Sequence, residues 1–145
     1  SMGVRRKLMS TFKEEITLEN PVDATNAVNG IIKETEVRRL TVNALVDTGA
    51  WTLVMNEETR AKLGLRILGS SRSEVANGAV ETGSLTEPVT IYWKDRFTAC
   101  TAFVLPNETE VLFGALPMEG MDLIVSPKRE EVVGAHGDKP LRIVK

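Results

Sequence analysis

The sequence predicts an all-β domain, and three observations carry that expectation. β-Branched residues are frequent and turn signals recur at short intervals along the chain. Several stretches alternate polar and apolar residues with the period of two expected of half-buried strands, most plainly F-K-E-E-I-T-L from Phe12 to Leu18. Only one segment carries clear signals for both ends of a helix. The 145 residues suit one domain with one core, and 42% hydrophobic with 26% charged residues is ordinary globular composition.

Taken in order, Phe12 to Leu18 reads as the first strand, and N-P at 20–21 and N-G at 29–30 read as breakers. Ile31 to Val46 is spaced for strands through Val37, Leu40, Val42, Ala44 and Val46. Trp51 to Met55 is a short apolar run. Asn56 can cap a helix over Glu57 to Leu63, with acids in the first turn and Gly64 just past the end. Ser73 to Glu87 contains Asn77-Gly78, a strong hairpin signal between extended segments. Val89 to Trp93 and Phe97 to Leu105 form a second hairpin across K-D-R. Val111-Leu112-Phe113 reads as a buried strand stopping at Gly114. Leu116 to Met121 suits a single helical turn, and Asp122 to Val125 a strand ended by Pro127. The tail from Lys128 is polar and ends in the partly apolar, extended Leu141 to Val144.

The net charge of -2, with Lys and Arg scattered, excludes a nucleic-acid stripe or a polybasic membrane patch. No apolar run is long enough to span a bilayer, and with no charged n-region followed by an apolar h-region at the start of the sequence, no secretory signal is expected. Residues 1–11 read as a tag remnant and N-terminal segment. One cysteine cannot form an internal disulfide, which points to a reducing cytoplasm.

One stretch carries chemistry. A-L-V-D-T-G-A, residues 44–50, runs apolar towards the core and then stops on a carboxylate. A buried charge is costly unless it is paired or used. Asp47-Thr48-Gly49 could be a plain turn, with the Asp accepting backbone N–H bonds. The surroundings argue for more: an apolar run follows, and a second apolar strand ends at a glycine in V-L-F-G.

These motifs, with A-N-G at 76–78 between them and A-L-P-M-E-G-M-D-L after, resemble retroviral-type (retropepsin-like) aspartic proteases. The likeness covers roughly residues 12–135 and is nearest the single-domain bacterial and archaeal members. It implies a closed, β-barrel-like acid-protease domain with one short helix and a flap hairpin. It also implies an endopeptidase that needs neither metal nor cofactor. In that family two carboxylates share one proton around a water, since like charges so close cannot both ionise.

The chain holds one D-T-G, so the resemblance implies a homodimer in which Asp47 meets its copy on a two-fold axis. Thr48 would bond across the axis, and the Gly49 N–H would bond a catalytic carboxylate. Ala50 and the hairpin residues Ala76, Asn77 and Gly78 would contact a peptide or protein substrate, the hairpin closing as a flap. Leu112 suits a pocket wall and equally plain core. The tail, 136–145, is a candidate part of the dimer interface.

The chain departs from the family at one pair. Retroviral enzymes place an acid soon after D-T-G-A and an Arg after the downstream glycine, whereas here Trp51 and Ala115 stand in those places. Trp51 reads as core, with stacking on a substrate side chain as its other use. His136 has no metal-ligand spacing around it, and Cys100 reads as a buried, inert thiol. Paired acids such as Glu14-Glu15 and Glu130-Glu131 read as solvent-facing. The rival expectation is a dimer that grips an extended peptide on the same fold by strand addition without cutting it.

Overall fold

Asn20 and Pro21 do not break the chain; they start a helix. In the computed structural model, which describes residues 12–75 and 77–144, strand β1 (Lys13–Glu19) runs straight into helix α1 (Pro21–Val28). The Asn20 side-chain oxygen accepts from the Val22 and Asp23 N–H groups at 3.0 and 3.1 Å. Pro21 sits in the first turn, where a missing N–H costs nothing. The residues read as breakers are a cap and a first-turn proline, and among the described residues this helix is added to the expected helix at 57–63 and the expected helical turn at 116–121.

The expected strand from Ile31 is also shorter. Asn26 O accepts from Ile31 N at 2.8 Å, a 3₁₀ turn follows at Glu34–Glu36, and β2 begins only at Arg39 (Arg39–Val46). Then come β3 (Leu53–Met55) and helix α2 (Glu57–Leu63), capped by Asn56 and closed by Gly64 at φ 65° as its sequence predicts. The hairpin strands β4 (Ile67–Glu74) and β5 (Val80–Thr86) follow, then β6 (Val89–Trp93). The segment expected as one strand from Phe97 divides at Thr101 into β7 (Arg96–Cys100), paired with β6, and β8 (Ala102–Val104), paired with β3 and β5. The chain closes with β9 (Leu112–Phe113), helix α3 (Ala115–Gly120), β10 (Leu123–Ser126) and β11 (Glu131–Gly134). The polar composition of 128–135 had hidden β11.

Among the described residues, β1 to β9 form one sheet in the order β4-β5-β8-β3-β9-β2-β1-β6-β7, and β10 with β11 forms a small second one. The ladder does not close into a barrel, since β4 and β7 are its edges. The main core joins Ile16, Leu18, Ala44, Val46, Ile91 and Phe113 with the helix residues Leu63 and Met118. A smaller cluster of Val54, Phe103, Leu105 and Leu112 lies apart from it. No helix among the described residues is long and apolar enough to cross a membrane.

Candidate active site

Strand β2 buries Ala44 and Val46 completely, and the chain leaves it on Asp47, whose residue is 5% exposed. The short β9 holds this exit. It lies between β2, to which it is parallel, and β3, to which it is antiparallel, with Val46 opposite Phe113 and Leu112 opposite both Leu45 and Val54. Asp47 N donates to Phe113 O at 3.1 Å, which carries the ladder one residue past the strand.

The loop then turns on itself. Gly49 N–H donates to Asp47 Oδ1 at 3.0 Å and Ala50 N–H to Asp47 O at 3.1 Å. The amide of the D-T-G glycine thus lies on the Asp47 carboxylate. The first turn of α3 clamps the far side: Ala115 N–H donates to Ala50 O at 2.8 Å and Leu116 N–H to Trp51 O at 3.0 Å. Trp51 and Ala115, which stand where retroviral enzymes have an acid and an arginine, each take part in one of these two backbone bonds, though not with each other. Gly114 makes the approach possible, because a Cβ there would lie 2.1 Å from Thr52 O and 2.6 Å from Ala50 O. Thr52 is fully buried, and its hydroxyl donates to Thr101 O at 2.7 Å. Thr52 and Leu116 were missed in the sequence; nothing local marks an anchor whose partners are so distant.

The remaining expected site residues fall in two places. Thr48 and Gly49 are exposed beside the buried Asp47. Ala50 packs on the smaller apolar cluster, as do Val75 and Leu85 of the hairpin, and Leu112 is buried within it. The β4–β5 hairpin forms as expected, although its turn is wider than a two-residue one: Val75 N donates to Ala79 O at 2.8 Å and Gly78 N to Val75 O at 2.9 Å. Asn77 Oδ1 accepts from Ala79 N at 2.9 Å, and Gly78 has φ 85°. Asn77 and Gly78 are exposed at the tip, and Ala76 lies outside the described residues. β4 has no buried residue, and only Ser84 and Leu85 of β5 pair with β8, so most of the hairpin stands off the sheet.

Trp51 is not core: it is 46% exposed, with its ring centroid 6.2 Å from that of Phe103. His136 meets Asp122, with Nδ1 3.0 Å from Oδ2. Cys100 is half-buried, and burial pushes its thiol pKa up, as an inert thiol requires. Glu14 is partly buried, accepting from Trp93 Nε1 at 3.1 Å. Among the described residues no three His, Cys, Asp or Glu side chains converge on a point that could hold a metal.

An open β-sheet with a D-T-G loop wedged between a two-residue strand and a short helix is the fold of retropepsin-like aspartic proteases. The aspartyl protease family model matches residues 27–135, well over half of the chain, and the chain belongs to that family. Among solved structures it is similar to the retroviral protease-like domain of Ddi1 from Leishmania major. Identity there is 14%, with 90% of this chain and 93% of that one covered at a TM-score of 0.53, a likeness of fold. A retropepsin-like aspartic protease from Rickettsia conorii is 19% identical over 81% of this chain and 89% of that one, at a TM-score of 0.47. A Legionella pneumophila protein of unknown function is 12% identical over 82% and 92%, at 0.45. No curated protein matches.

Proposed function

We propose that the chain is an aspartic endopeptidase acting as a homodimer, with one Asp47 from each chain forming the catalytic pair. The observation that carries this is the buried Asp47 at the end of β2, with the Gly49 amide on its Oδ1, in a chain that has a single such motif. A C2 axis beside Thr48 and Gly49 would bring the two carboxylates together and let them share one proton. The ionised Asp47 takes a proton from a water, whose oxygen attacks the peptide carbonyl carbon. The protonated Asp47 donates to the carbonyl oxygen. The Asp47 that took the water's proton then gives it to the departing nitrogen, a diol hydroxyl returns its proton to the other Asp47, and the tetrahedral intermediate collapses to a carboxylic acid and an amine, with no metal and no covalent enzyme intermediate.

In this reading residues 12–135 are the catalytic domain, and the tail at 136–145 contributes to the dimer interface. Thr48 bonds the partner's backbone, the Asn77-Gly78 hairpin is the flap over an extended peptide, and Ala50 and Leu112 border the pocket. A single cysteine suits a reducing compartment such as the cytoplasm.

Asp47→Asn is the test. Asn keeps the oxygen that accepts from Gly49, so fold and dimer persist, but it cannot act as a base. Peptide cleavage at mildly acid pH is expected to fall at least about a thousandfold. Cleavage that survives in a verified Asp47→Asn protein ends the assignment. Peptide binding without cleavage by the unaltered chain would favour the non-cutting binder.

A further inference from the structure

Trp51 stands four residues after Asp47, and nearly half of the residue is open to solvent. An exposed indole is costly, and its position is not slack. Its carbonyl is tied to Leu116 N–H at 3.0 Å, and its ring lies against Phe103 at an interplanar angle of 56°. Phe103 is itself buried, and its ring fills the space beside Gly83 of β5, where a Cβ would come within 2.5 Å. The indole therefore extends the small apolar cluster that runs from Ala50 at the catalytic loop to Val75 and Leu85 at the hairpin. Leu116, 42% exposed, follows it on the α3 side.

From this continuity we infer that Trp51 is a specificity-determining residue: a rigid platform on which an aromatic or large aliphatic substrate side chain stacks, away from the scissile bond. The inference rests on the protease reading above. A planar, amphipathic ring offers contact area at little entropic cost, and aromatic pairs gain energy beyond the area they bury. A carboxylate in this place would instead select polar groups, so the preference is a property of this chain's own substitution.

The test compares the unaltered chain with Trp51→Ala and Trp51→Phe on a mixed peptide library, with cleavage sites read by mass spectrometry. The unaltered chain is expected to enrich apolar side chains at one fixed position two to four residues from the cut. Trp51→Ala should lose that enrichment and raise KM about tenfold on the best peptide with kcat little changed, while Trp51→Phe keeps both. An unchanged cleavage pattern in Trp51→Ala overturns the inference while leaving the protease reading intact. So does a loss of preference accompanied by dissociation in sedimentation, which would make Trp51 a subunit contact.

Should the unaltered chain cleave nothing, the protease reading fails, and binding still decides the role of Trp51. With Trp93→Phe leaving one indole, retained peptides should be apolar-enriched and should shift the Trp51 fluorescence. Peptides bound without either effect, or no peptide bound, overturn the inference.

Discussion

At the scale of single residues, the loop that carries Asp47 depends on absent atoms as much as present ones. Gly114 has φ -93°, a backbone conformation open to any residue, so it is required by close approach alone. A methyl group at that position would meet the carbonyls of Thr52 and Ala50, and backbone cannot swing aside as a side chain can. Gly114→Ala is expected to cost about 2–3 kcal/mol and to displace the loop carrying Asp47. Denaturant melts and cleavage rates check this; a melt within error of the unaltered protein shows that the loop relaxes freely. The V-L-F-G motif could be read from the sequence, but the reason for its glycine could not, because the atoms it avoids belong to residues some sixty positions earlier in the chain.

At the scale of elements, the hairpin and α1 make contrasting cases. Gly78 has open space around it, so Gly78→Val is strained only through its positive φ, at about 1–2 kcal/mol. An exposed tip can distort to absorb that strain, whereas a closing flap loses its shape. Turnover should therefore fall more than thermal stability does, and unchanged cleavage with a lower Tm would make the hairpin purely structural.

Helix α1 is held from its first turn. Asp23 Oδ2 accepts from Arg38 Nε at 2.7 Å and from Arg38 N at 3.0 Å, and Oδ1 accepts from the guanidinium at 3.0 Å. The Arg38 side-chain bonds, opposed by burial, lower the Asp23 pKa below its ordinary value of 3.8. A carboxyl depressed on folding contributes stability above the unfolded pKa and loses it as pH falls through the folded value. Asp23→Asn should thus destabilise by about 1–2 kcal/mol near neutrality, with the gap narrowing as pH falls below the ordinary carboxyl value of 3.8. A difference that stays constant as pH is lowered from 7 to well below 3.8 would assign the effect to packing. The N-P dipeptide that opens this helix has two meanings, breaker or cap, and the choice was made by Leu63 and Gly64, whose carbonyls receive the Asn20 amide.

At the scale of the whole molecule, the proposed site is divided between two chains, and mixing tests it. Unfolding equal amounts of unaltered and Asp47→Asn chains and refolding them together should leave about one quarter of the dimers active if each site needs both carboxylates. About one half would remain if each chain carried a complete site. Tagging one partner counts the mixed dimers, and one-half activity with those dimers present would rule out a shared site.

Features that depend on neighbours in sequence were legible from the chain alone. These include the D-T-G-A loop, helix α2 between Asn56 and Gly64, and the Asn77-Gly78 hairpin, each set by a cap, a turn residue or a period that acts over a few positions. Three-dimensional contact decided the rest. It divided the strand at Thr101, where residues before it pair with β6 and those after it with β3. It paired β11 with β10 although the segment is polar. It left Trp51 46% exposed, with its ring tilted against that of Phe103, a residue fifty-two positions away in the chain. Hydrophobic pattern says that a side chain has an apolar face; only the folded surroundings determine how much of that face finds a partner.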